Sequence, residues 1–66
     1  MSNAAARAAS VCENVLRVAS TLPPDVALAS LDMAAHRLEQ AGTLAAFEAR
    51  LKSAREAVER RRAGPA

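Results

Sequence analysis

The chain predicts an all-α fold, a small array of three amphipathic helices, and three observations carry that expectation. Apolar residues recur at alternating spacings of three and four, the mark of a helix with one buried stripe. Alanine supplies much of the 52% hydrophobic fraction, and Phe47 is the only aromatic residue. Two breaks, Leu22-Pro23-Pro24 and Ala41-Gly42-Thr43, divide the pattern into three segments.

Helix 1 is expected at about 3–21. Ala4, Ala8, Val11, Val15, Val18 and Leu22 form its stripe, and Ser2 or Asn3 is placed to cap its start. Ala5, Cys12, Leu16 and Ala19 widen the stripe to one side, more than a single helix–helix seam needs, so this helix should touch two neighbours. Its polar edge, Arg7, Ser10, Glu13, Asn14 and Arg17, should face water, with Glu13 and Arg17 at the i,i+4 spacing of a local ion pair.

Pro23 and Pro24 end that pattern, because proline disfavours helical geometry in the residue before it and has no N–H to donate. Both suit the first turn of the next helix, and Asp25 complements the positive end of its dipole. Helix 2 is expected at about 24–41, with Leu28, Leu31, Ala35 and Leu38 as core stripe and Ala27 beside it. Val26 and Met33, seven residues apart, form a second, smaller apolar strip on the far side. In a three-helix monomer that strip faces solvent.

Gly42 is a natural helix terminus and Thr43 a candidate N-cap for helix 3. The helix 2 stripe continued past the glycine would fall on Gly42 and Ala45, whereas the apolar residues resume at Leu44, Phe47, Leu51, Ala54 and Val58. This phase slip predicts a turn; the alternative is one long rod buried by another chain. Helix 3, at about 44–62, has a narrow seam of coiled-coil type. Glu48–Lys52, Arg55–Glu59 and Glu56–Arg60 are spaced to pair along it, Arg60, Arg61 and Arg62 sit at the negative end of its dipole, and Gly64-Pro65 ends it.

Sixty-six residues make one domain, 1–66, and a chain of this size buries only about 60% of the surface its unfolded form exposes. So thin a core calls for a supplement. Cys12 is the only cysteine and His36 the only histidine, which excludes an internal disulfide and a four-ligand zinc site. Dimerisation or a partner chain remains as the expected supplement. Charge is uneven: residues 1–42 carry a net of −1 and residues 43–66 a net of +3. Glu13 speaks against an organelle presequence or secretory segment at the N-terminus, and no apolar run approaches membrane-spanning length. A soluble, cytoplasmic protein is expected, and the alanine and arginine usage suggests a GC-rich bacterial genome.

No catalytic, cofactor or metal residues are predicted. Cys12 and His36 are the only conceivable nucleophile–base pair, and nothing supplies an orienting group or an oxyanion hole. The segment from Met33 to Gly42 is faintly similar to a histidine phosphotransfer helix, but Glu39 and Gln40 stand where that family has Lys and Gly, so an exposed, non-catalytic His36 is expected. Gly42 and Gly64 are the only glycines, too few for a phosphate-binding loop. The expected function is a non-catalytic helical protein–protein interaction module: a small subunit, adaptor, docking element or secretion-type chaperone acting as a homo-oligomer or on another protein. Cys12, Leu16, Val26 and Met33 are its candidate partner-binding residues, and Arg60, Arg61 and Arg62 its candidate electrostatic contacts. The alternative is a small DNA-binding regulator using the basic last helix, although Glu48, Glu56 and Glu59 interrupt its charge and no aromatic platform is present.

Overall fold

The computed structural model describes residues 3–64. Ser2 and Pro65, assigned above to a cap and a stop, lie outside that range. The described chain forms α1 (Asn3–Val18), a single 3-10 turn (Ala19–Thr21), α2 (Pro24–Ala41) and α3 (Leu44–Ala63), with no strand among the described residues. The three helices run up, down and up. Ala4, Arg7 and Ala8 of α1 share a cleft with Arg37, Gln40 and Ala41 of α2, which fixes those two helices as antiparallel. Asp25 and Asp32 of α2 pair with Arg62 and Arg55 of α3, a second antiparallel match. Helix α2 is the middle element: α1 and α3 both pack along it and touch each other over a much smaller area. Side-by-side rods make the molecule elongated, with a radius of gyration of 12.2 Å where a compact globule of this length would have about 11 Å.

Both turns have a backbone cause. Pro24 occupies the first position of α2, where its missing N–H costs nothing, and the Ala27 N–H donates to the Pro23 carbonyl at 2.8 Å. At the other end Gly42 adopts φ 77°, the left-handed region that favours glycine. The Gly42 N–H donates to Glu39 O at 3.1 Å and the Thr43 N–H to Leu38 O at 2.9 Å, the Schellman pattern that satisfies the last carbonyls of a helix. Gly42 is therefore a closed turn, and α2 and α3 are not one rod. The cap expected from Thr43 is corrected: its hydroxyl makes no bond to the α3 start and is buried without a partner. Only its main chain is used there, with the Ala46 N–H donating to Thr43 O at 3.2 Å.

The core consists of Ala8, Cys12 and Ala19, of Ala27, Leu31, Ala34 and Leu38, and of Leu51 and Val58. In α1 this shifts the buried stripe from the expected one toward Cys12 and Ala19: Ala4 and Val18 are exposed, and Val11 and Val15 are half-buried. In α2 the centre of the stripe likewise moves to Ala27 and Ala34, leaving Leu28 and Ala35 partly covered beside it. The reason is steric. Two helices approach closest where side chains are smallest, so alanines and a cysteine take the line of contact and larger residues flank it.

The ion pairs also differ from expectation. Glu13 reaches across to Arg50 of α3 with two hydrogen bonds of 2.8 Å, and Arg17 instead donates to Asn14 Oδ1 at 2.8 Å. None of the expected pairs along α3 forms among the described residues; Arg55 joins Asp32 and Arg62 joins Asp25, both on α2. A two-pronged arginine–carboxylate contact is stronger than an exposed i,i+4 pair worth about 0.2–0.5 kcal/mol, and helices lying side by side offer that geometry.

Candidate protein-docking face

Each helix flank faces a definite neighbour, and the neighbours sort the candidate residues. On α2, Leu31 and Ala35 line a groove of about 320 Å³ with Leu44, Glu48, Leu51, Lys52 and Arg55 of α3. On α1, Leu16, Ala19 and Ser20 line a smaller one, about 150 Å³, with Ala54, Ala57, Val58 and Arg61. At about 100° per residue, Val26 and Met33 lie on the flank of α2 opposite to Ala35, and Val18 on the flank of α1 opposite to Leu16. Those are the flanks turned away from α3.

Of the four residues expected to bind a partner, Val26 and Met33 come together there, 49% and 56% exposed. Leu16 is half-buried on the opposite flank of α1, toward α3. Cys12 is 0% exposed in the line of contact between helices. Burial pushes its thiol above the ordinary value; Arg50 opposes the shift and Glu13 adds to it. Such a thiol stays protonated, and it cannot meet a second chain's cysteine unless the helices part. His36 is exposed on α2, on the outside of the fold from Cys12, so the two share no site.

The three arginines at the end of α3 separate as well. Arg61 donates to the carbonyls of Ala19 at 3.1 Å and Leu22 at 2.7 Å, closing the end of the α1–α2 turn. Arg62 pairs with Asp25 at 3.5 Å. Arg60 alone has no partner among the described residues. Two of the three are thus engaged within the fold.

Three residues of this candidate face carry no signal in the sequence. Val18, 36% exposed, fits the expected core stripe, and only the shift of α1 onto its small residues turns it outward. Arg7 and Arg37 belong to different helices and are far apart in sequence, yet they line one open cleft of about 410 Å³ with Ala4, Ala8, Gln40 and Ala41. No local spacing announces that juxtaposition. Among the described residues no group of three or more His, Cys, Asp or Glu side chains is placed to hold a metal ion, and no helix is long and apolar enough to cross a membrane. Compared with protein-family models, curated proteins and solved structures, the chain matches none.

Proposed function

We propose that this chain is a non-catalytic helical module that docks another protein, working in the cytoplasm as a small subunit, adaptor or chaperone-like element. The observation that supports the reading is the gathering of Val18, Val26 and Met33, the three large apolar side chains left exposed among the described residues, on the face of α1 and α2 away from α3. Scattered exposed apolar residues are ordinary on a small protein; a shared face is what binding surfaces of helical modules have. A buried, protonated thiol and a lone exposed histidine give no support to catalysis. The DNA-binding alternative draws less support, because Arg61 donates to main-chain carbonyls of the α1–α2 turn and Arg62 pairs with Asp25 at the surface.

A photo-activated crosslinking residue placed at Met33 in the source cells, with one at His36 as control, tests the reading. A discrete adduct with one protein at position 33 and not at 36 is expected. The same faint ladder at both positions refutes it, and so does salt-sensitive retention of a labelled DNA duplex by the purified chain at low ionic strength.

A further inference from the structure

The docking face has a charge pattern that identifies its occupant. Its α2 side is a stripe at spacings of four and three, Val26, Ser30, Met33, Arg37 and Gln40, and its α1 side holds Arg7, Val11 and Val18. The antiparallel register seen where Ala4 and Ala8 meet Ala41 and Arg37 continues down the pair, bringing Val11 level with Met33 and Val18 level with Val26. The face is therefore apolar at the end near Pro23 and doubly cationic at the end near Gly42. Arg7 and Arg37 have no hydrogen-bond or ion-pair partner among the described residues, and no carboxylate lines their cleft. The carboxylates of α1 and α2 are turned elsewhere: Glu13, Asp25 and Asp32 are each paired with an arginine of α3, and Glu39 falls on the same flank of α2 as Asp32.

We infer that this face receives an amphipathic helix from a different protein, its apolar stripe over Val18, Val26 and Met33 and its acidic end between Arg7 and Arg37. The inference rests on the docking function proposed above and specifies the partner's chemistry. From Arg7 to Val18 the face runs about 16 Å, three turns of helix at about 1.5 Å per residue, a length that i, i+3, i+4 and i+7 anchors span. Two guanidiniums from separate helices line one cleft that holds no carboxylate, and a partner's carboxylate placed there can accept charge-assisted hydrogen bonds from both. A second copy of this chain is the wrong occupant. Stacked face to face it brings arginines against arginines in one orientation and against the Ser20–Pro23 end in the other, where the nearest carboxylate, Asp25, lies on the α3 side and is paired with Arg62.

The test is a selection from a displayed library of short amphipathic helices, with both end turns randomised, on the full 66-residue chain. Expected are binders enriched in Asp and Glu at one end turn. One such binder made as a labelled peptide should lose about tenfold or more in affinity against Met33→Glu and against the double variant Arg7→Glu, Arg37→Glu; the arginine variant should regain affinity for a peptide carrying Lys at those positions. Circular dichroism of each variant confirms that helicity is kept. Binders without an acidic bias, binders equally tight to Met33→Glu, or sedimentation showing a homodimer dispersed by Met33→Glu each overturn it. Should crosslinking at Met33 succeed while the selection returns no acidic helices, the docking function stands and only the acidic helix falls.

Discussion

The two seams along α2 are built on opposite principles. Toward α1 the contact line is mostly small, with Ala8, Cys12 and Ala19 against Ala27, Ala34 and the larger Leu38, and among the described residues no ion pair crosses it. Toward α3 the side chains are larger and unevenly covered: Leu31, Leu51 and Val58 are buried, but Leu44 and Phe47 are half-buried, a groove remains beside Ala35, and charges hold the edges through Asp25–Arg62 and Asp32–Arg55. Small residues let helices approach until backbone and side chain interlock, so along Cys12, Ala19, Ala27 and Ala34 that seam is specified by shape, and the cleft lined by Arg7 and Arg37 opens only toward its Gly42 end. The second is specified by charge and apolar area, and it has room.

Adjacent alanines test this difference most severely. Ala34 is fully buried in the tight seam, and Ala34→Leu should cost about 1–3 kcal/mol through overpacking. Ala35 borders the groove of about 320 Å³, and Ala35→Leu should instead be neutral or gain about 1 kcal/mol. Thermal melts resolve both, since about 1 kcal/mol shifts the midpoint by roughly 4–8 °C in a domain this small. Equal destabilisation by the two leucines would show that the α3 seam is as closely fitted as the α1 seam.

Arg61 is where the two seams are tied together, because a side chain of α3 satisfies carbonyls at the α1–α2 turn. Arg61→Ala should cost about 1–2 kcal/mol, toward the lower part of the range for hydrogen bonds from a charged donor because one of the two is exposed. Arg61→Lys should not restore it, since one ammonium cannot address two carbonyls with the planar fork of a guanidinium. Full rescue by lysine in a urea titration would reduce the contact to simple charge. The Gly42 turn gives a smaller effect. Thr43→Val removes a buried hydroxyl that has no partner while keeping the shape, so stability should hold or rise by up to about 1 kcal/mol; a loss of that size would mean the hydroxyl is satisfied after all.

How much of this was legible depended on whether the cause was local. Pro23-Pro24 and Gly42 announce their turns because covalent geometry at those residues permits little else, and the spacing from Leu44 to Val58 shows a helical seam without reference to anything outside it. The rotation of α1 onto Cys12 and Ala19 was not legible. Counting apolar residues weights Val11, Val15 and Val18, whereas the line of closest approach is chosen by whichever neighbouring helix offers alanines, here Ala27 and Ala34. Of the exposed face proposed for docking, Val26 and Met33 could be read as one apolar strip because seven residues is two turns of one helix. Val18, Arg7 and Arg37 could not, since their companionship depends on the register between two helices. The charges erred in the same direction: i,i+4 spacing proposes Glu13–Arg17, but only the packed bundle presents Arg50.

That pair joins α1 directly to α3, supplies the smallest effect, and shows whether charge also works outside the two seams along α2. Glu13 accepts both hydrogen bonds from Arg50, whose guanidinium carbon also lies 5.8 Å from the centre of the Phe47 ring, and the arginine holds the carboxyl below its ordinary value of 4.5. A carboxyl whose value is lowered by folding contributes its stabilisation in full above the unfolded value, and that contribution fades as the pH falls from there through the folded value. Glu13→Gln should therefore melt slightly below the parent chain at pH 7, with the gap closing below about pH 4.5. Comparing the two chains at each pH cancels the titration of the other carboxylates. Because the pair is exposed, added salt should also narrow the gap at pH 7. A gap that persists at pH 3 would mean that the neutral carboxyl and the amide differ in how they hydrogen-bond Arg50, and that the charge of Glu13 is not what ties α1 to α3.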